Sequence, residues 1–485
     1  MSIQTLRYKH ILLASLMSLA AGSASRSGMS SPAFTSPGGA AAKGAPGVNY
    51  VGFFNPTGTP PELVGSMSFG MIEAQSPKQV EASLAAANGT KFKVRIDFSQ
   101  ALLRRKPPSE VRMTYTTPTG SPGTKRFRPL ANIKLFDMPG DAEISAVMAS
   151  YVPILSKHKS NLGVIFLADE PYLNGISKSE MERAIRVVRS LFMASGLPNV
   201  PFGVNFSSGM FDPDFAKFID RESGRYVQNI DSYYKRGPIA LAGTTNDQAL
   251  DKRNFLDWTA TIRTSRLVTY DAAGNIYTGG GIPAGADVVG FDFYLSTLLV
   301  DGIHENTLSW FASRYPEAGC AQFAGMPISK LRASLSFFRD GPTPGDWSAQ
   351  QSDRKVLDAV YQCRMEATLR MLQKAAASNR RIRFQLFSEA SSNGVRNFDS
   401  KLTPKKDQPT SLVERRSLDE VMRAERFYSS HRNQIQCGIT FFIYNDAFDS
   451  SLNLQISGAS KLPSVIKSVS SFAAGVGRPA PQRCE

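Results

Sequence analysis

Two carboxylates stand side by side in "GVIFLADEPYLNG", residues 163–175, where an apolar run from Val164 to Ala168 stops at Asp169, Glu170 and Pro171. A third, Glu389, closes a similar run in "FQLFSEASSNG". A carboxylate at the end of a buried segment is costly unless it is paired or protonated. A protein that keeps one there usually uses it. Two such groups flanking one bond can hydrolyse a glycoside: a protonated acid gives its proton to the departing oxygen, and an ionised one attacks the anomeric carbon. A separation of about 5–5.5 Å gives retention. We therefore take Glu170 and Glu389 as candidate catalytic residues. Arg95, Asp97, Asp169, Asn205, Asp292 and Asn445, with Asp446, are candidate partners for hydroxyl or carboxylate groups. Tyr172, Tyr294 and Tyr444, with Trp258 and Trp310, are candidate stacking surfaces for sugar rings, and His304 is a candidate extra acid.

Elements able to bring these residues together are visible as eight short apolar runs: 50–54, 67–72, 92–98, 163–168, 200–206, 287–294, 382–387 and 438–444. Helical patterns separate them. "SPKQ" predicts a start capped by Ser76 with Pro77 in the first turn, "SKSE" a capping box of Ser177 and Glu180, and "SLDE" another at Ser417 and Glu420. Strand followed by capped helix, eight times over, predicts an α/β protein: a (β/α)8 TIM barrel over 48–475 with hairpin and loop insertions. The expected insertions are a hairpin in "VRMTYTTPTGSPGTKRFRPL" (111–130), a long excursion over 207–286 with a hairpin at "LVTYDAAGNIY", and a segment containing "KLRASLSFF" (330–338). Alternation places Phe92, Val94, Ile96 and Phe98 on one face, with Lys93, Arg95 and Asp97 on the other. The polar parity, which also holds Asn205, Asp292, Tyr294, Gln385 and Glu389, should line the barrel and crowd its C-terminal mouth.

Residues 1–24 read as a signal peptide, with a basic start, the stretch "ILLASLMSLAAG" and a small-residue site ending at Ala24. Residues 25–47 read as a flexible Ser/Gly/Ala/Pro-rich linker, and 476–485 as a C-terminal tail. The expected location is secreted or periplasmic, without membrane insertion. There, four cysteines suit two disulfides; of three pairings we expect Cys320 with Cys363 and Cys437 with Cys484. Four histidines and no CxxC argue against zinc, so no metal or cofactor is expected. The net charge of +15 suits an acidic polysaccharide partner. No ordered basic–aromatic motif points to nucleic acid, and a monomer is expected.

On "ADEP" and the Glu389 segment the chain resembles the clan A glycoside hydrolases, barrel enzymes with an acid/base Glu after strand four and a nucleophilic Glu after strand seven. "ADEP" is also similar to that of secreted bacterial barrel proteins of glycosidase type. The resemblance implies the acid/base role for Glu170 and the nucleophile role for Glu389, with Gln385 as the other occupant of that place. It likens Tyr294 to the strand-six tyrosine that orients the nucleophile. Asp169 departs from the family, standing where the group has Asn. An inverting mechanism, a non-catalytic carbohydrate-binding barrel that handles surface or exopolysaccharide, a lyase and a deacetylase stay open beside the retaining hydrolase.

Overall fold

The computed structural model describes residues 50–105, 111–116, 122–127, 136–172, 176–207, 209–215, 218, 281–295, 306–327, 330, 331, 334, 351–379, 381–392, 410–449, 454–476 and 484. The signal peptide, the linker, Trp258, His304 and the "LVTYDAAGNIY" hairpin lie outside them.

All eight expected strands form: β1 (Val51–Phe54), β2 (Phe69–Glu73), β3 (Lys93–Asp97), β4 (Leu162–Phe166), β5 (Phe202–Ser207), β6 (Val288–Asp292), β7 (Arg383–Glu389) and β8 (Ile439–Phe442). They pair in parallel and close, β8 meeting β1 through Val51 opposite Ile439. The connecting helices include α1 (Pro77–Ala86), α2 (Asp141–Ala149), α3 (Val152–Lys157), α4 (Lys178–Ala194), α5 (Thr307–Arg314), α6 (Gln351–Ala375), α7 (Thr410–His431) and α8 (Pro463–Gly475). This is the (β/α)8 barrel. The strands Val111–Thr116 and Pro122–Phe127 form the antiparallel hairpin inserted after β3.

Side-chain parity divides the core as the alternation requires. Val94, Ile96 and Phe98 join the layer between strands and helices, while Phe54, Met71, Phe166, Val288 and Phe387 fill the inside. Between Val94 and Ile96 the β3–β4 register shifts, so that Val164 faces inward while Leu162 and Ile165 face the helices. Glycines make room for the largest interior rings. A methyl group on Gly203 would come within 2.4 Å of Phe166, and one on Gly290 or Gly52 within 2.5 Å of Phe387 or Phe69. Phe166 and Phe387 then meet edge to face at 6.1 Å.

The helix starts follow the capping signals twice out of three. Ser76 accepts from the Gln79 N–H, and Ser177 with Glu180 forms a complete capping box. The third is corrected: α7 begins at Thr410, so Ser417 lies inside it and its Oγ donates to the Ser391 carbonyl at 3.0 Å. Leu412 and Val413 are buried, and their packing extends the helix past the local cap signal.

Both expected disulfides are present. Cys320–Cys363 ties the segment after α5 to α6. Cys437–Cys484 brings the end of the chain to the foot of β8. No helix among the described residues is long and apolar enough to cross a membrane.

Candidate active site

The C-terminal ends of the strands carry an arc of acids. Glu73 ends β2, Asp97 ends β3, Asp169 and Glu170 follow β4, Asp292 ends β6 and Glu389 ends β7, with Asn205 on β5 between them. Hydrogen bonds link the arc laterally. The Asn205 carboxamide donates to Asp169 at 3.0 Å and to Asp292 at 3.1 Å. Ser99 joins β3 to β4: its Oγ donates to Asp97 at 2.5 Å and accepts the Asp169 N–H at 2.7 Å.

Glu170 is 4% exposed and has a backbone φ of 41°, the one positive φ outside glycine among the described residues. Local sequence opposes this twice, since left-handed backbone is unfavourable for a side chain of this kind and a following proline favours extended geometry. Such strain costs about 1–3 kcal/mol and survives where the surroundings impose it. Here the tie from Asp169 N–H to Ser99 holds the turn from the side of β3.

Glu389 is 1% exposed and oriented by its own following turn. One oxygen, Oε1, accepts the Ala390 N–H at 3.0 Å, the Ser391 N–H at 2.8 Å and the Ser391 hydroxyl at 2.6 Å. Three donors on one oxygen suit an anion.

Tyr294 lies two residues past the end of β6. Burial pushes its phenol well above the ordinary tyrosine range, and four carboxylates add to the shift, in the order Asp292, Glu389, Glu170 and Asp169. Elsewhere in the arc the carboxyl groups are shifted upward. Burial and then Asp169 push Asp97 up to about 7, against the hydrogen bonds from Ser99. Burial, Asp97 and Asp169 raise Glu73 well above the carboxylate range. Burial raises Asp169, opposed by Asn205 and the Glu170 N–H.

Other expected site residues lie elsewhere. Arg95 is fully buried and turned toward the barrel foot: its guanidinium covers Phe69 at 3.5 Å, two residues below its own register partner Met71. An aromatic face attracts the cation into the interior, away from the mouth. Tyr172 packs against Phe206, and its phenol donates to the Gly281 carbonyl at 2.5 Å. Tyr444 meets Phe53 edge to face and donates to Glu62 at 3.0 Å. Trp310 belongs to an aromatic cluster with Phe215, Phe218 and Phe311. Burial of their rings in the outer layer outweighs exposure at the mouth for these three. Asn445 lines a cavity beside the arc.

Three contributors went unnoticed in the sequence: Glu73, Ser99 and Ser391. Glu73 lies one residue past the expected end of its strand. The serines were marked only by a shared spacing, two residues after Asp97 and Glu389. Among the described residues no group of three His, Cys, Asp or Glu side chains is arranged to hold a metal ion.

No family model matches the chain, and no curated protein matches it. Among solved structures it is similar to a glycoside hydrolase family 5 enzyme from Prevotella bryantii B14, with 9% identity, 87% of this chain and 95% of that chain covered, and a TM-score of 0.36. It is also similar to a family 1 β-glucosidase from Thermotoga maritima, with 11% identity, coverage of 86% and 85%, and a TM-score of 0.34. A β-glucosidase from the same organism in complex with galacto-hydroximolactam gives 10% identity, 84% coverage of each chain and a TM-score of 0.32. Superpositions this loose add nothing to the assignment of the barrel, which rests on the strand pairing itself.

Proposed function

We propose that the chain is a glycoside hydrolase acting on an oligosaccharide or polysaccharide, with Glu170 as acid/base, Glu389 as nucleophile and retention of configuration. The observation that carries this reading is the pair of enclosed glutamates at the mouth of one barrel, Glu170 after β4, 4% exposed, and Glu389 at the end of β7, 1% exposed. Glu170, buried where a charge is disfavoured, supplies the proton. It passes to the glycosidic oxygen as the bond to the anomeric carbon breaks, while the Glu389 carboxylate forms an ester to that carbon. Glu170, now ionised, then takes a proton from water. The resulting hydroxide cleaves the ester, releasing the sugar and restoring both glutamates. Tyr294 orients Glu389. Asp169, Asn205 and Asp292 take up sugar hydroxyls through the hydrogen-bonded row described above.

The carboxylate arc disfavours a negative charge on the reacting sugar itself. An acidic polymer therefore fits only if its anionic substituents lie away from the cleaved bond. The two disulfides suit an oxidising compartment, which supports export by the signal peptide.

The test is turnover of an oligosaccharide panel by the wild type and by Glu170→Gln, with product configuration read by NMR. The reading expects loss of turnover by about 10²–10⁴-fold, binding spared, and a product of retained configuration. Binding with no turnover in the wild type would instead establish the non-catalytic barrel, and an inverted product would remove the nucleophile role of Glu389.

A further inference from the structure

Close to half of the net charge of +15 is packed into the insertion after β3, where residues 104–135 hold eight basic residues and one acid, Glu110. Nothing in the proposed reaction uses these cations. They belong to a part of the chain built apart from the barrel sheet.

The insertion has a fixed neck and a separate head. At the neck Arg104–Arg105 pairs antiparallel with Phe136–Asp137. Phe136 is buried in the layer between strands and helices, and Arg104 Nε donates to Glu143 on α2 at 2.7 Å. Beyond the neck, Val111–Thr116 and Pro122–Phe127 form a two-stranded sheet of their own. Such a hairpin is at best marginally stable in water by itself. The register weakens this one further. Arg112 stands opposite Arg126, and like charges at opposed positions are destabilising. An anion supplied by a partner removes that penalty.

The register also sorts the hairpin into two rows. Val111 with Phe127, Met113 with Lys125 and Tyr115 with Gly123 share one face, while Arg112 with Arg126 and Thr114 with Thr124 share the other. A basic row backed by an apolar, aromatic one is the pattern of a segment that lies in a membrane interface. There, binding grows with buried apolar area and with attraction to anionic lipid. A hydrated polyanion would use the cations and leave the Val, Met and Phe positions without a role.

We propose that this hairpin docks the protein on an anionic lipid surface, with lipid phosphate held at Arg112 and Arg126 and the row of Val111, Met113, Tyr115 and Phe127 set into the headgroup region. Guanidinium groups suit phosphate because they present paired donors. The docking is peripheral, and it is independent of the hydrolase reading because no residue of the acid arc takes part.

The experiment measures co-sedimentation of the exported protein with vesicles of phosphatidylcholine alone and with vesicles containing about one third phosphatidylglycerol. It compares the wild type, the pair Arg112→Glu and Arg126→Glu, the pair Tyr115→Ser and Phe127→Ser, and a chain in which a short Gly–Ser link replaces residues 106–134. Each is first checked by thermal melting. The wild type is expected to bind only the anionic vesicles, and less as salt rises from about 0.1 M to about 0.5 M. Charge reversal should weaken binding at least about tenfold, since each basic residue near such a surface contributes about fivefold. The Tyr115 and Phe127 pair should weaken it about threefold or more. The linked chain should melt as the wild type does and bind neither vesicle. The proposal is overturned if the wild type binds neutral vesicles equally well, if the linked chain still sediments with anionic ones, or if either pair binds as the wild type does. Binding of soluble polygalacturonate with none to vesicles would overturn it in favour of an acidic polymer.

Discussion

The ends of β3 and β7 use the same local device. In Asp97-Phe98-Ser99 and in Glu389-Ala390-Ser391, the serine two residues on gives both its N–H and its hydroxyl to one carboxylate oxygen. The distances are 2.9 and 2.5 Å at Asp97, and 2.8 and 2.6 Å at Glu389. The difference lies in what surrounds each copy. Burial and then Asp169 push Asp97 up to about 7 despite its two donors. Glu389 gains a third donor, the Ala390 N–H. The serine roles diverge as well. Ser99 passes its tie onward to the turn of Asp169, whereas the carbonyl of Ser391 is fixed from α7 by Ser417. A local motif sets where a carboxylate points; the neighbouring strands decide what it can do.

The largest expected difference between the two ends is catalytic. Glu389→Gln should lower kcat by about 10³-fold or more, as for loss of a nucleophile, while Asp97→Asn should cost less than about tenfold. Steady-state kinetics on the same oligosaccharide checks both; equal losses would erase the distinction. Next come the serines. Ser391→Ala should reduce kcat about tenfold with KM little changed, and Ser391→Thr should restore most of it. Ser99→Ala should act instead through the Glu170 turn, which would show as weakened protonation of poor leaving groups and near-normal rates on good ones.

A smaller effect concerns stability. The Asp97 carboxyl has a raised folded pKa, so its contribution is fully present below the unfolded value and is lost as pH rises through about 7. Asp97→Asn should therefore melt a few degrees higher than the wild type at pH 8 and within about a degree of it at pH 4. A constant offset across that range would show that the proton is not held at Asp97. The smallest expected effect is that of Ser417→Ala, about 1 kcal/mol of stability, with a loss of activity smaller than that of Ser391→Ala.

Much of the scaffold was legible because it follows from short-range periodicity. Alternation in 92–98 separated Val94 and Ile96 from Arg95 and Asp97, whereas in β4 the register shift breaks the alternation between Leu162 and Val164. The caps at Ser76 and Ser177 depend on residues within one turn, so they too could be read. Ser417 could not, because burial of Leu412 and Val413 extends the helix and local spacing cannot weigh that gain. The direction of Arg95 depends on Phe69 of a neighbouring strand, and the backbone of Glu170 on Ser99, which lies 71 residues earlier in the chain. Tyr172 and Tyr444 carried the right chemistry for a sugar face, but their phenols found Gly281 and Glu62. Type and spacing identify which residues can do chemistry; whether a ring faces solvent is settled by what packs behind it.

The bond between Cys437 and Cys484 has a consequence for how the molecule can be mounted. Cys484 is wholly enclosed with Tyr50 and Val288 beneath the strands, and Tyr50 is also where the described chain enters β1. Tyr50 and Cys484 are thus both at the floor of the cup. A surface coupled to that floor would hold the open face outward to a long polymer passing by.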